Sequence, residues 1–333
     1  MRSARLRRDG IAVTTAPLPL PGFDDVMRAA GRIRPWAHRT PVLTCAGLDR
    51  LAGARIHFKC ENLQKVGAFK FRGATNAVFA LDEAAAQRGV ATHSSGNHAA
   101  ALALAARNRG TRATIVMPRT APAVKKAAVA GYGAEIVFCE PTLAAREAAL
   151  AVVVERTGAT VVHPYNDTLV IAGQGTAALE LLEEVPDLEV IMTPVGGGGL
   201  TSGTALTVAA RAPGCRVIAA EPAAADDACR SLREGRIVPS ADPQTVCDGL
   251  RTSLGELTFA LIRRHVAAIL TVGEAEIVAA MRVMWERMKV LVEPSSAVPF
   301  AVLLAHPGEF AGRRVGIVVS GGNVDLDRLP WQA

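Results

Sequence analysis

Aromatic side chains are scarce in this chain: three Trp, two Tyr and nine Phe amount to 4% of its 333 residues. Base-stacking surfaces need more of them, and the net charge of +6 is spread along the chain except for a cluster between Arg2 and Arg8, so nucleic acid is not an expected partner. The charge reads as a mild attraction for anionic metabolites. No apolar run approaches the roughly 20 residues of a bilayer-crossing helix, and no membrane association is expected. Asp9, Gly10, Pro17, Pro19 and Pro21 interrupt the basic start, which therefore lacks the apolar core of a secretory signal and reads as a flexible tail. The six cysteines contain no CxxC pair and the seven histidines no HExxH or Cys/His ligand spacing. Reduced thiols of a cytoplasmic protein are expected, not a zinc site or a disulfide frame.

What is present is alternation. Short apolar runs at 90–94, 113–117, 135–139, 160–163, 190–195, 217–220 and 315–320 predict buried strands, and the segments 99–107, 121–130, 143–156, 172–184 and 200–211 predict helices between them. That pattern is the signature of an α/β fold with parallel sheets, whose ligands collect at the carboxyl ends of strands. At 50% hydrophobic, the chain can bury a large core. Composition alone reveals no repeat and no domain boundary.

The tetraglycine Gly196, Gly197, Gly198 and Gly199 follows one predicted strand and precedes a predicted helix. Backbone N–H groups unobstructed by side chains, at a helix N-terminus, form a cradle for phosphate. GGGGLTSG has no Lys of a GxxxxGK loop, so a smaller phosphorylated cofactor fits better than a nucleotide. Lys70 lies between Phe69 and Phe71, and apolar neighbours favour the neutral amine that forms a Schiff base with an aldehyde. Alone, Lys70 could equally be a solvated side chain beside Arg72. A reactive lysine together with a phosphate cradle suggests pyridoxal phosphate.

Motifs along the chain strengthen the suggestion. Lys59-Cys60-Glu61-Asn62, the GAFKFRGA segment around Lys70, Ser94-Ser95-Gly96-Asn97-His98, His163-Pro164-Tyr165, Ala172-Gly173-Gln174-Gly175-Thr176, the tetraglycine, Glu293-Pro294 and Ser320-Gly321-Gly322-Asn323 occur in this order. From about Arg39 onward the chain resembles the fold-type II pyridoxal phosphate enzymes of the serine racemase, threonine dehydratase and 3-hydroxyaspartate dehydratase group. The resemblance implies two open parallel-sheet domains of the tryptophan synthase β type, with the cofactor between them. Residues 1–88 and 167–333 would form the large cofactor-binding domain and 89–166 a small mobile substrate domain. A homodimer is also implied. The chain stops soon after the Ser320 loop, so neither a C-terminal regulatory domain nor amino-acid feedback inhibition is expected.

The same resemblance assigns roles. Lys70 would carry the cofactor, with Phe69, the four loop glycines, Leu200 and Gly249 around it. Asn97 would hydrogen-bond the cofactor's 3-hydroxyl, Glu293 would lie beside it, and Ser320, which read alone could instead cap the Gly-Gly turn, would meet the ring nitrogen. A hydroxyl there does not enforce a protonated ring, which favours β-elimination over transamination. Ser94, Ser95, Gly96, Asn97 and His98 would hold the substrate carboxylate, with Ser95 opposite Lys70 at Cα; read alone, the segment could simply cap a helix. Glu221, the Ala225 carbonyl and Asp227 match the divalent-cation site of serine racemase, suited to Mg²⁺ or, as alternatives, Ca²⁺ or Mn²⁺. Without the resemblance, Asp226 and Asp227 read as an acidic helix start.

Arg146 lies at a position that resembles that of the Arg associated with dicarboxylate binding in serine racemase-like enzymes; read alone, it is a solvated helix residue. Asn166 replaces the Asp of many threonine dehydratases, a change that would not repel a second carboxylate. The expected reaction releases ammonia from a small hydroxy amino acid, 3-hydroxyaspartate or serine and threonine. Racemisation through Ser95 remains open, as do a β-replacement synthase and a non-catalytic cofactor-binding protein.

Overall fold

The computed structural model describes residues 19–332. The basic run between Arg2 and Arg8 lies outside them. Among the described residues, ten strands form two sheets: β1 (Val42–Leu43), β2 (Arg55–Cys60), β3 (Val90–His93), β4 (Ala113–Pro118), β5 (Glu135–Cys139), β6 (Thr160–Val161), β7 (Val190–Pro194), β8 (Arg216–Pro222), β9 (Ala268–Val272) and β10 (Arg314–Val319). One sheet runs β1-β2-β10-β7-β8-β9 and the other β5-β4-β3-β6. Every pairing is parallel except that of β1 with β2. β4 and β7 are buried along their whole length, as parallel strands covered by helices on both faces must be.

All seven predicted strands are present; β1, β2 and β9 were not anticipated. β2 escapes because its sequence, Arg-Ile-His-Phe-Lys-Cys, mixes charge into the sheet. Lys59 is nonetheless fully buried, with its ammonium 2.6 Å from Glu180 Oε2. Arg72 joins the same cluster, donating to Glu61 (Nε, 2.7 Å) and Glu180 (Nη1, 2.7 Å) from a site with no exposure. Burial on this scale is tolerable only because every charge faces an opposite charge. The cluster anchors the start of the helix Lys70–Phe79, which begins at Lys70.

The helix Thr168–Glu184 begins four residues before the predicted start because Asp167 caps it, its Oδ1 accepting from Leu169 N (2.8 Å) and Val170 N (3.0 Å). It packs on both Lys70–Phe79 and Gly199–Arg211 through glycines. A Cβ on Gly173 would come within 2.6 Å of Gly73 Cα, and one on Gly203 within 2.5 Å of Gly175 N. Gly173 and Gly175 thus act here as packing residues, letting three helices bring their ends to one cleft. Among the described residues, no helix is long and apolar enough to cross a membrane.

Candidate active site

The loops that follow β3, β7 and β10 converge on the start of the helix Lys70–Phe79. Ala68 pairs antiparallel with Gly321, and Phe69 N donates to Ser320 O at 3.0 Å, so the lysine segment is stitched to the Ser320 loop. Lys70 Nζ donates to Pro164 O at 2.7 Å and lies 5.1 Å from the centre of the Phe69 ring. Burial depresses its pKa to about 8, with Glu293 opposing. The neutral amine expected from the flanking phenylalanines is therefore accessible near neutrality.

The tetraglycine is a shaped concavity. A Cβ at Gly196 would sit 2.9 Å from Leu250 Cα and 3.2 Å from Gly249 O, which places Gly249 beside the loop. At Gly197 it would overlap the Tyr165 ring. Gly198 has φ +86° and would meet Ile262, Leu254 and Thr258 at 2.9 Å, so only glycine serves. Thr258 Oγ1 donates to Gly197 O at 2.8 Å, fixing the loop, and Leu200 is buried behind it. The helix Gly199–Arg211 starts within the loop. These features fit a phosphate held by backbone N–H groups.

Asn97 begins the helix Asn97–Arg109. Its Nδ2 donates to both Glu293 oxygens at 3.1 and 3.2 Å, and its Oδ1 accepts from Asn323 Nδ2 at 3.0 Å. Burial and the Asp248 charge raise the Glu293 pKa to about 7, against the hydrogen bonds from Asn97 and Asn323. Ser320 is buried, its Oγ 3.0 Å from Ser296 Oγ; Ser296 also donates to Gly321 O (2.6 Å) and accepts from Gly321 N (2.7 Å). Ser94 Oγ accepts from Gly96 N at 3.3 Å, and Ser95 and Gly96 complete the half-buried loop.

His98 turns inward. It is 2% exposed, with Nε2 3.0 Å from Val162 O, and burial followed by the charge of Lys70 lowers its pKa to about 3. Its ring ties the loop to the chain after β6 and stays neutral. Arg146 lies on the helix Leu143–Thr157, where its Nε is enclosed without a partner and its Nη2 reaches Pro141 O at 3.5 Å. His93, at the end of β3, has its pKa lowered by burial and further by Arg146, with Glu147 opposing. Arg146 and Glu147 are the charged groups that act on His93 from this helix. Asn166 Oδ1 accepts from Leu257 N at 2.9 Å, which ties its amide to the first turn of the helix Glu256–His265.

Glu221 is the penultimate residue of β8, with its oxygens accepting from Ala228 N (2.9 Å) and Cys229 N (2.8 Å). Asp227 has no exposure and neither of its carboxylate oxygens completes a hydrogen bond, although the Ser240 hydroxyl is near. Burial raises Glu221 to about 8 and Asp227 to about 6. No cluster of three His, Cys, Asp or Glu ligands occurs among the described residues. Two buried carboxylates, one of them orphaned, fit a hard cation completed by a backbone carbonyl and water.

Several site features were not assigned from sequence: Ser296 under Ser320, Asn323 on Asn97, Tyr165 over the glycine loop, and an ion pair between Lys125 and Asp248. Tyr165 and Asn323 belong to quoted motifs, but their targets are far away in the chain.

Residues 33–321 match the family model described as pyridoxal-phosphate dependent enzyme. A β-hydroxyaspartate dehydratase from Paracoccus denitrificans is 54% identical over 312 residues, spanning 94% of this chain and 99% of that protein. An L-threo-3-hydroxyaspartate ammonia-lyase from Saccharomyces cerevisiae is 48% identical over 310 residues, 93% of this chain and 95% of its own. The crystal structure of serine racemase from Dictyostelium discoideum superposes with a TM-score of 0.89 at 47% identity, covering 92% of this chain and 99% of that one.

Proposed function

The chain belongs to the fold-type II pyridoxal-phosphate-dependent enzymes, and from that membership we propose that it is a carbon–nitrogen lyase converting 3-hydroxy amino acids, 3-hydroxyaspartate foremost, to 2-oxo acids and ammonia. The observation that carries the substrate class is the 54% identity to a β-hydroxyaspartate dehydratase over nearly the whole of both chains.

Pyridoxal phosphate, when bound, supplies an electron-withdrawing ring that acidifies the Cα proton of an attached amino acid. The glycine loop would hold its phosphate, Asn97 its hydroxyl and Ser320 its ring nitrogen. Lys70 would carry the cofactor at rest and, freed by the substrate amine, take the Cα proton; its lowered pKa suits a base near neutrality. Ser94, Ser95, Gly96 and Asn97 would orient the α-carboxylate through hydroxyls and backbone N–H groups, with His98 contributing through the backbone. Arg146 would receive the distal carboxylate. This reading takes residues 89–166 as a small substrate domain, and the protein as a cytoplasmic homodimer. The likeness to serine racemase supports racemisation as a second activity, with Ser95 as the opposite-face proton carrier.

Ammonia release from 3-hydroxyaspartate, serine and threonine tests the proposal. The first is expected to be turned over at least as well as the others. Arg146→Ala is expected to lower kcat/KM for 3-hydroxyaspartate about 10- to 100-fold, the worth of a charge-assisted hydrogen bond, while threonine changes little. Equal losses, or no activity on 3-hydroxyaspartate, would return the reading to a serine/threonine dehydratase.

A divalent cation, Mg²⁺ first and Ca²⁺ or Mn²⁺ next, is proposed at Glu221, the Ala225 carbonyl and Asp227. The sign of one mutation separates the alternatives. If a cation balances Asp227, both chelation and Asp227→Asn lower the melting temperature, because a ligand of the folded state stabilises it. If no cation binds, removing a buried unpaired carboxylate raises the melting temperature and chelation does nothing.

A further inference from the structure

We propose that His163 is a positioning residue for Lys70, acting through the backbone turn that it closes at residues 163–166. The inference rests on the lyase reading only in naming what Lys70 is positioned for.

β6 was expected to continue to His163 but stops at Val161, although Val162 N still reaches Ala91 O at 2.9 Å. The chain then curls, because Tyr165 N (3.3 Å) and Asn166 N (2.9 Å) both donate to His163 Nδ1. A ring nitrogen that accepts two N–H groups carries no proton, so the remaining proton of the neutral imidazole sits on Nε2. Burial, with His93 and Lys70 adding to it, holds the ring's pKa down at about 4, so the acceptor persists across the neutral range. A side chain so engaged shapes the backbone and is not free to relay protons through Nδ1.

The curl has two products. It presents the Pro164 carbonyl to Lys70 Nζ at 2.7 Å, the one hydrogen bond of that amine among the described residues. It also stands the Tyr165 ring edge-on to His163, with centroids 4.6 Å apart at 89°, so that Tyr165 covers Gly197 and Gly199 and its hydroxyl meets Thr252 Oγ1 at 3.0 Å. One imidazole nitrogen thus sets both the amine and the wall of the phosphate cradle. The other titratable groups facing Lys70 are Glu293, which favours the ammonium, and His98. His163 faces His93, 6.3 Å away, and Lys70.

Three variants separate positioning from bulk. In His163→Asn the side-chain oxygen takes the place of Nδ1 as acceptor; His163→Gln carries its amide one bond too far; His163→Leu has no acceptor. Two readouts are made on the full chain: kcat and KM for ammonia release, and the pH profile of covalent capture of added pyridoxal phosphate on Lys70, trapped with borohydride and located by mass spectrometry. The Asn variant is expected to stay within about 3-fold of wild type, and the Gln and Leu variants to lose about 10- to 100-fold in kcat with little change in KM, the usual cost of a misplaced group.

Without the carbonyl acceptor the ammonium form of Lys70 is less favoured, so the capture midpoint of the Gln and Leu variants should move to lower pH by about half a unit or more. Should Leu fail to fold, the Asn and Gln pair decides. Equal behaviour of Asn and Gln in the capture profile, whether both are normal or both impaired, overturns the proposal. Wild-type capture on Lys70 without ammonia release from any of the three amino acids would instead overturn the lyase reading, and the capture profile would still judge His163.

Discussion

Lys70→Ala is expected to leave a folded chain in which ammonia release falls by about 10,000-fold or more, because one substitution removes both the proposed attachment point of the cofactor and the proposed base at Cα. Folding should not suffer. Lys70 has its pKa lowered from 10.5 to about 8, so in the cofactor-free protein its charged form is disfavoured by the fold. The group therefore costs stability below the folded pKa, and that cost disappears as pH rises through the unfolded value. The cofactor-free alanine variant should accordingly melt no lower than the cofactor-free wild type at neutral pH, and any advantage should vanish above about pH 10.5. Borohydride followed by mass spectrometry should find pyridoxal phosphate attached to Lys70 in the wild type and nowhere in the variant. Residual turnover beyond about 1% of wild type, after exclusion of contaminating enzyme, would remove Lys70 from the role of base.

The parts of this site that were legible in sequence are those in which chemistry and local structure coincide. The tetraglycine announces itself because strand, loop and helix start lie within a few residues. Lys70 announces itself because its neighbours are phenylalanines. Lys59 and Glu180, by contrast, meet across 121 positions, and a lysine in a strand reads as solvated until its partner is known. The glycines of the Ala172-Gly173-Gln174-Gly175-Thr176 motif carried no visible purpose, since the backbones they admit belong to Gly73 and Gly203. His163 was quoted as part of a motif and given no task, because its partners are backbone N–H groups that have no identity in sequence. The proposed cation site was suggested only through resemblance; the orphaned oxygens of Asp227 are what the structure adds. Ser320 could not be separated from a turn cap; its hydroxyl lies against Ser296 of the helix Pro294–Ala305, which is itself bonded to Gly321.

Gly197→Ala is expected to weaken pyridoxal phosphate binding by about 10- to 100-fold, the equivalent of the 1 to 3 kcal/mol that an extra methyl costs in a closed packing. The added Cβ would overlap the Tyr165 ring, which cannot readily retreat: His163 stands edge-on against it and Thr252 holds its hydroxyl at 3.0 Å. The loop must yield instead, and Thr258, which donates to Gly197 O at 2.8 Å, resists that movement too. Whichever gives way, the loop N–H groups proposed to hold the phosphate lose their common focus, and affinity is expected to fall even though no ligand-binding side chain has been altered. Gly214→Ala supplies the control, since a Cβ there meets nothing within 4 Å. Equilibrium dialysis with pyridoxal phosphate measures both variants, and Gly197→Ala in combination with Tyr165→Ala should recover part of the lost affinity by vacating the overlapped space. Wild-type affinity in Gly197→Ala would mean that the phosphate is not held at this loop. Loss in Gly197→Ala that Tyr165→Ala does nothing to relieve would mean that the methyl is excluded by the ligand itself and not by the tyrosine wall, which places the phosphate closer to Gly197 than the packing of Tyr165 requires.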